Sequence, residues 1–463
     1  MKAMLQGFVE PRHFFFNAIR FAAMLDPRFF PKQISETDSS FRWFPALLLL
    51  LVAALTAHAQ VSSAAASTSS APASNWTGAW IGSWAASQQI PEPDNAVPLE
   101  SLSNATLRQI VHLSVGGSRI RVRISNAFGT TPLHLLAVHV ARPQSPASSR
   151  IDPASDRAIM FNEHADVLIP MGAEYTSDPL SYSVAALSDL AITMQIDVAP
   201  GQETGHPGSR ATSYLAAGSL VSAAELPSAQ SIDHWYFLSG VDVSAPASAS
   251  SIVALGDSIT DGHGATTNGN DRWTDALAAR LQHSVTTNEI AVLNEGIGGN
   301  RLLADGLGPN ALARFDRDVL AQNGIRYLIV LEGINDIGTL TRTSVATETQ
   351  HEELVRRMIG AFQQIILRAH ADGIKVIGGT IMPFMGSDFY HPDEANESDR
   401  RMVNAWIRAA GHFDAVVDFD KVMADPAHPD HLRPDCDSGD HLHPSPAGYR
   451  AMAVAIPLEL FHK

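Results

Sequence analysis

The rhythm of apolar residues changes once along this chain, near residue 250, and that change constrains the fold more than any other feature. From Trp76 to about Val243 the pattern is short and of period two. In SRIRVRIS (118–125), Ile120, Val122 and Ile124 alternate with Arg119, Arg121 and Arg123, as along a strand with one buried face. LRQIVHLSV (107–115), LHLLAVHVA (133–141), ADVLIP (165–170) and LAITMQIDV (190–198) read the same way, separated by GG, NAFGTTP and SDP turn chemistry. Strands in succession without helices predict an antiparallel β-sandwich, and we read its arginines as a solvated sheet face. Past SGVDVSAPASASS (239–251), which reads as a linker, the strands IVAL (252–255), AVLNEG (291–296), YLIVLEG (327–333), KVIGGTI (375–381) and AVVDFD (415–420) alternate with helical stretches. These stretches are 272–282, 347–371, 396–411 and 446–461; in the second, Leu354, Met358, Phe362 and Ile365 recur at helical spacing. Alternation of this kind builds a parallel sheet with helices on both faces. At roughly 150 residues per domain, 463 residues accommodate two or three domains.

Charge narrows the partners. The chain carries 32 basic against 48 acidic residues, a formal charge of −16, and no Lys/Arg run, which argues against nucleic acid. A single cysteine, Cys436, allows no intrachain disulfide. RWFPALLLLLVAALTAHAQ (42–60) has a positive flank, an apolar core shorter than the ~20 residues a spanning helix needs, and a small-x-small site at Ala57-His58-Ala59. The expectation is a leader over 1–59, cleaved after Ala59, leaving a secreted or periplasmic protein without a stable membrane anchor. VSSAAASTSSAPAS (61–74) has nothing to bury, so 60–75 reads as a flexible linker. A β-sandwich over 76–245 and an α/β domain over 250–463 then follow.

Ligands of an open parallel sheet bind beyond the C-terminal strand ends. Three polar clusters fall there: Gly256-Asp257-Ser258, NEGIGGN (294–300) and EGIND (332–336). A fourth, DHLHPSPAGY (440–449), precedes the final helix. A serine hydroxyl is a poor nucleophile until a base removes its proton, and the base needs a third group to fix its tautomer. Ser258 can attack, His443 can be that base, and Asp440, three residues earlier, can orient it. The charge that develops on an attacked carbonyl needs donors. The N–H of Ser258, an N–H of the Gly298-Gly299 turn and the amide of Asn335 offer three. Gly256 allows the tight bend before the serine, and Asp257 reads as shaping the turn.

GDSITDG (256–262), GIGGNRLL (296–303), GIND (333–336) and DHLHP (440–444) resemble the four sequence blocks of the SGNH, or GDSL-type, hydrolases. The resemblance covers about 250–463. It implies a three-layer α/β/α domain and a serine esterase with no metal or other cofactor. It also implies Ser258, Asp440 and His443 as the catalytic residues. The implied oxyanion donors are Ser258, Asn335 and a block-two glycine, Gly299 or its neighbour Gly298. LRQIVHLSVGGSRIRVRISNAFG (107–129) and YFLSGVDV (236–243) resemble secreted bacterial GDSL proteins with a β-rich domain before the hydrolase. That group is similar to an acylhydrolase found with xylan-degrading enzymes. The expected substrate is therefore a small-molecule or polysaccharide ester, with short acyl groups such as acetyl on plant polysaccharide.

Three rival readings remain. A lipase, lysophospholipase or arylesterase would take longer acyl chains. A carbohydrate-binding protein could use Trp76, Trp80 and Trp84 as a stacking platform, although tryptophans at that spacing more often fill a core or interface. DPAHPDHLRPDCDSGDHLH (425–443) is dense in metal-ligand residue types but fits no regular zinc spacing. We read His428, His431 and Cys436 as an exposed loop.

Overall fold

A computed structural model describes residues 78–462 of the chain. The leader, its cleavage site, the 60–75 linker and Trp76 lie outside the described residues. The N-terminal half is two facing antiparallel sheets. One runs Ala79–Ala85, Leu238–Ala245, Gly117–Ser125 and Glu174–Thr176, with Leu180–Val184 also paired to Gly117–Ser125. The other runs Gln230–Ile232, Ser213–Ala217, Ala105–Leu113, Ser188–Ile196, Leu133–Ala141 and Arg157–Ile159, with Val167–Ile169 on Leu133–Ala141. Ile120, Val122 and Ile124 are fully buried between them, as the alternation requires.

The arginines opposite are not a freely solvated face; Arg119 and Arg121 are half-buried. Arg123 is buried and donates to Gln322 Oε1 at 2.5 Å. Arg121 pairs with Asp242 at 2.9 Å and lies 4.3 Å from the centre of the Trp80 ring. The solvated-face reading fails because the second half of the chain covers this face, and a period-two pattern cannot reveal what covers its polar side.

The second half is a parallel sheet of β1 (Ser250–Gly256), β2 (Ile290–Gly296), β3 (Ile325–Leu331), β4 (Lys375–Gly379) and β5 (Ala415–Val417), in the order β2-β1-β3-β4-β5. Its helices are α1 (Ser258–Asp261), α2 (Trp273–Gln282), α3 (Ala311–Phe315), α4 (Ile334–Thr341), α5 (Glu348–Ala371), α6 (Glu394–Arg408), α7 (Phe419–Met423) and α8 (Pro446–Ala455). The result is a three-layer α/β/α domain behind a β-rich domain. α8 packs with α2 and α7, and α5 with α6, α3 and α4. Helix α5 buries Val355, Met358, Phe362, Ile365 and Ala369, a stripe at three-four spacing. Thr347 and Gln350 close its N-terminus in a capping box, an arrangement worth about 1 kcal/mol. The last helix stops at Ala455, and a 3-10 turn, Leu458–Phe461, follows.

The segment 239–251 is not a linker. It is strand to Ala245, a four-residue turn closed by Ala249 N–H to Pro246 O, then strand from Ser250. Its Ser/Ala content misled because small side chains also suit strands buried on both faces. The edge strand Ala79–Ala85 packs along β2, the edge of the parallel sheet. A Cβ at Gly82 would come within 2.8 Å of Leu293, and Ser114 Oγ accepts from Val292 N–H at 3.1 Å. The described residues therefore form one compact unit, and among them no helix is long and apolar enough to cross a membrane.

Candidate active site

All four clusters read from the sequence come together at the C-terminal edge of the parallel sheet. β1 ends at Gly256, where a Cβ would lie 2.1 Å from Thr260 Oγ1 and 2.8 Å from Leu331 O, so only glycine fits. Asp257 caps α1, its carboxylate accepting from Ile259 N–H at 2.9 Å. Ser258 is the first residue of that single turn. Its hydroxyl lies 2.8 Å from His443 Nε2, and His443 Nδ1 lies 2.6 Å from Asp440 Oδ2. Asp440 Oδ1 accepts from the backbone N–H groups of His443 (2.8 Å) and Leu442 (3.0 Å) and from Ser438 Oγ (3.1 Å). Partial burial pushes this carboxyl up, but the His443 ring and the two N–H groups outweigh it and hold it well below the usual carboxylate range. A chain of this kind can withdraw the serine proton as the hydroxyl attacks.

The oxyanion candidates sit on the neighbouring strand ends. Gly299, after β2, adopts φ +69°, a left-handed conformation that favours glycine, under the side chain of Leu307. Gly298 lies beside the Asp261 carboxylate. Asn335, on the first turn of α4 after β3, is buried; its Nδ2 donates to Asn300 O at 2.8 Å and its Oδ1 accepts from Tyr390 OH at 2.6 Å. The Asp336 carboxylate accepts from the N–H groups of Leu302 (2.8 Å) and Leu303 (3.0 Å), pinning the block-two loop to α4. Burial pushes the Asp336 carboxyl up to about 6 and that of Asp257 up to about 7.

Under these loops lies a residue that no motif marks. Arg314, on α3 and fully buried, donates to Gly256 O (2.9 Å), Glu295 O (2.6 Å), Asn300 Oδ1 (3.0 Å) and Ser87 Oγ (2.8 Å), and pairs with Asp318 and Glu332. One guanidinium thus ties the ends of β1 and β2, the block-two loop and the start of block three. Glu295 and Glu332, buried beside it, have their carboxyls raised well above the usual range by desolvation. Ser87 donates to Glu295 as well, at 2.7 Å, and comes from the β half. So does His206, which bridges the Ser87 carbonyl and the Asp261 carboxylate, each at 2.8 Å.

His263, one residue past the GDSITDG block, packs against the His443 ring, 4.0 Å between centroids with the planes tilted by 36°. Burial, with His443 and Arg210 beside it, pushes this imidazole down to about 4. Among the described residues, His263, Asp440 and His443 form the one group whose ligand atoms, all within 4.8 Å of one another, could hold a metal ion. His428 is exposed and His431 half-buried, but Cys436 is buried, contrary to the exposed-loop reading, because the loop folds back over it onto α8. Trp84 is buried edge-on against Trp235 at 4.8 Å, and so offers no open platform.

Residues 254–451 match the sequence profile of the GDSL-like lipase/acylhydrolase family. That match spans nearly the whole of the C-terminal domain. As a GDSL-like domain it makes the chain a carboxylic ester hydrolase. No curated protein sequence matches the chain significantly. Solved structures similar to it include a GDSL-like lipase from Bacteroides thetaiotaomicron, 20% identical, covering 44% of this chain and 84% of that one with TM-score 0.32. An acetyl xylan esterase is 18% identical, covering 44% and 96%, with TM-score 0.33. A catalytic mutant of an acetylxylan esterase from Geobacillus stearothermophilus is 19% identical, covering 46% and 95%, with TM-score 0.34.

Proposed function

We propose that this GDSL-like hydrolase is a secreted serine esterase that removes short acyl groups, acetyl foremost, from a polysaccharide through an acyl-enzyme on Ser258. The observation that carries the reading is the unbroken chain from Ser258 Oγ to His443 at 2.8 Å and on to Asp440 at 2.6 Å. Ser258 attacks the ester carbonyl as His443 Nε2 takes its proton. The oxyanion is held by the N–H groups of Ser258 and Gly299 and by the amide of Asn335, and the alcohol departs with the proton from His443. Water then repeats the sequence on the acyl-enzyme. The left-handed backbone at Gly299 supports its choice over Gly298. The polar rim of His263, Ser438 and Asp440 suits a hydroxyl-rich alcohol, and the small-x-small site before Gln60 supports export.

Hydrolysis of nitrophenyl esters from acetyl to palmitoyl, beside acetate release from acetylated xylan, tests the reading. Acetyl and butyryl esters are expected to turn over fastest, with acetate released from the polymer. A preference for palmitoyl would move the protein to the lipases. Ser258→Ala is expected to lose more than about a thousandfold in kcat with an unchanged melting temperature; near-normal turnover in that variant would remove Ser258 from the mechanism.

A further inference from the structure

At the rim of the site the β half contributes the segment 207–212, which carries a cation with no acidic partner. Arg210 donates through Nη2 to His263 Nδ1 at 3.2 Å, its Nε is buried without a hydrogen-bond partner, and among the described residues no carboxylate lies within ion-pair distance of it. In a chain with 48 acidic and 32 basic residues, an unpaired guanidinium beside the catalytic centre is conspicuous. Because a guanidinium only donates, His263 must accept at Nδ1, which leaves its proton on Nε2, 3.9 Å from Asp440 Oδ2. His263 is thus a neutral spacer, and the charge of Arg210 remains available.

The loop is fixed rather than draped. Asn268 N–H donates to Arg210 O at 2.8 Å, Thr212 N–H to Asn268 Oδ1 at 2.8 Å, and Arg272 to both Ser209 O and Asp261 O. A Cβ at Gly208 would collide with the Asp261 carboxylate. Arg210 is therefore held at its place by the same segment that follows the serine.

Its side of the site follows from the chemistry. His443 must protonate the departing oxygen, so the alcohol lies on the His443 side of the scissile bond. His263 packs against that ring, and Arg210 lies beyond His263. We propose that Arg210 is a specificity-determining residue that binds a carboxylate on the alcohol portion of the ester, so that the preferred substrates are acylated acidic saccharides. This inference rests on the esterase reading above and names the substrate class within it.

The test compares kcat/KM for 4-acetoxybenzoate, whose leaving group carries a carboxylate, with that for phenyl acetate, in wild type, Arg210→Gln and Arg210→Lys. A charge-assisted hydrogen bond at a half-exposed site is worth about tenfold. The charged-to-neutral ratio is expected to fall about tenfold in Arg210→Gln and to be largely restored in Arg210→Lys. In wild type it is expected to decline as salt is raised. Turnover of both esters with a ratio indifferent to Arg210→Gln would overturn the subsite and leave the esterase standing. Turnover of neither ester by wild type would sink the esterase reading and the subsite with it.

Discussion

Asn335 holds its amide between two fixed partners, the Asn300 carbonyl on Nδ2 and the Tyr390 hydroxyl on Oδ1. Burial pushes the Tyr390 phenol up to about 12, so it remains a donor and the amide cannot turn over. Asn335→Ala is expected to lower kcat by about 10²–10³-fold, the usual effect of removing an oxyanion donor. Tyr390→Phe is expected to lower kcat about tenfold with little change in KM; steady-state kinetics separate the two terms. That Ser258, His443, Asp440 and Asn335 gather at one sheet edge was legible because each sits in a short block with its own chemistry. Tyr390 was not, since it lies 55 residues from the amide it orients. Glu203 was equally silent. Buried with one oxygen unpartnered, its carboxyl is pushed up to about 7 by desolvation. The folded state therefore holds a proton that the unfolded chain has released, and stability falls as pH rises from the ordinary carboxylate range through about 7. Glu203→Gln is expected to stabilise the fold at pH 8, by on the order of 3 kcal/mol at most, and to leave stability unchanged near pH 4. A calorimetric pH series checks this.

At the scale of elements, the strands and helices of the second half were readable because their apolar periods differ and their ends carry caps. Thr347 before α5, Asp393 before α6 and Ser445 before α8 all close their helix N-termini. What periodicity cannot show is how α3, only five residues long, locks the strand ends through Arg314. Arg314→Met is expected to leave the buried Asp318 and Glu332 carboxyls and the Gly256 and Glu295 carbonyls without their donor, and to destabilise the fold by several kcal/mol. Ser87→Ala is the milder probe. It removes one of the hydrogen bonds to Arg314 and one to Glu295, and is expected to lower kcat severalfold while the protein stays folded. Circular dichroism and turnover, measured together, distinguish loss of fold from loss of position.

For the whole molecule, the sequence divides at residue 250 but the structure does not. The rhythm change marks a real change of architecture, and both fold classes followed from it. The union of the halves was invisible because it is built from residues far apart: Ser87 with Glu295, His206 with Asp261, Arg123 with Gln322. Each of these side chains would lose its partner in a separated domain. Expressed alone, 250–463 is expected to be insoluble or inactive, whereas 76–463 should retain full esterase activity; assays of the two purified fragments decide it. A last consequence follows from the lone thiol. Cys436 is buried in the loop that carries Asp440 and His443, and its carbonyl receives Ser445 N–H at 2.7 Å. With no second cysteine to compete, its rate of alkylation under native conditions is a clock on how often that loop opens, read from one atom without any label.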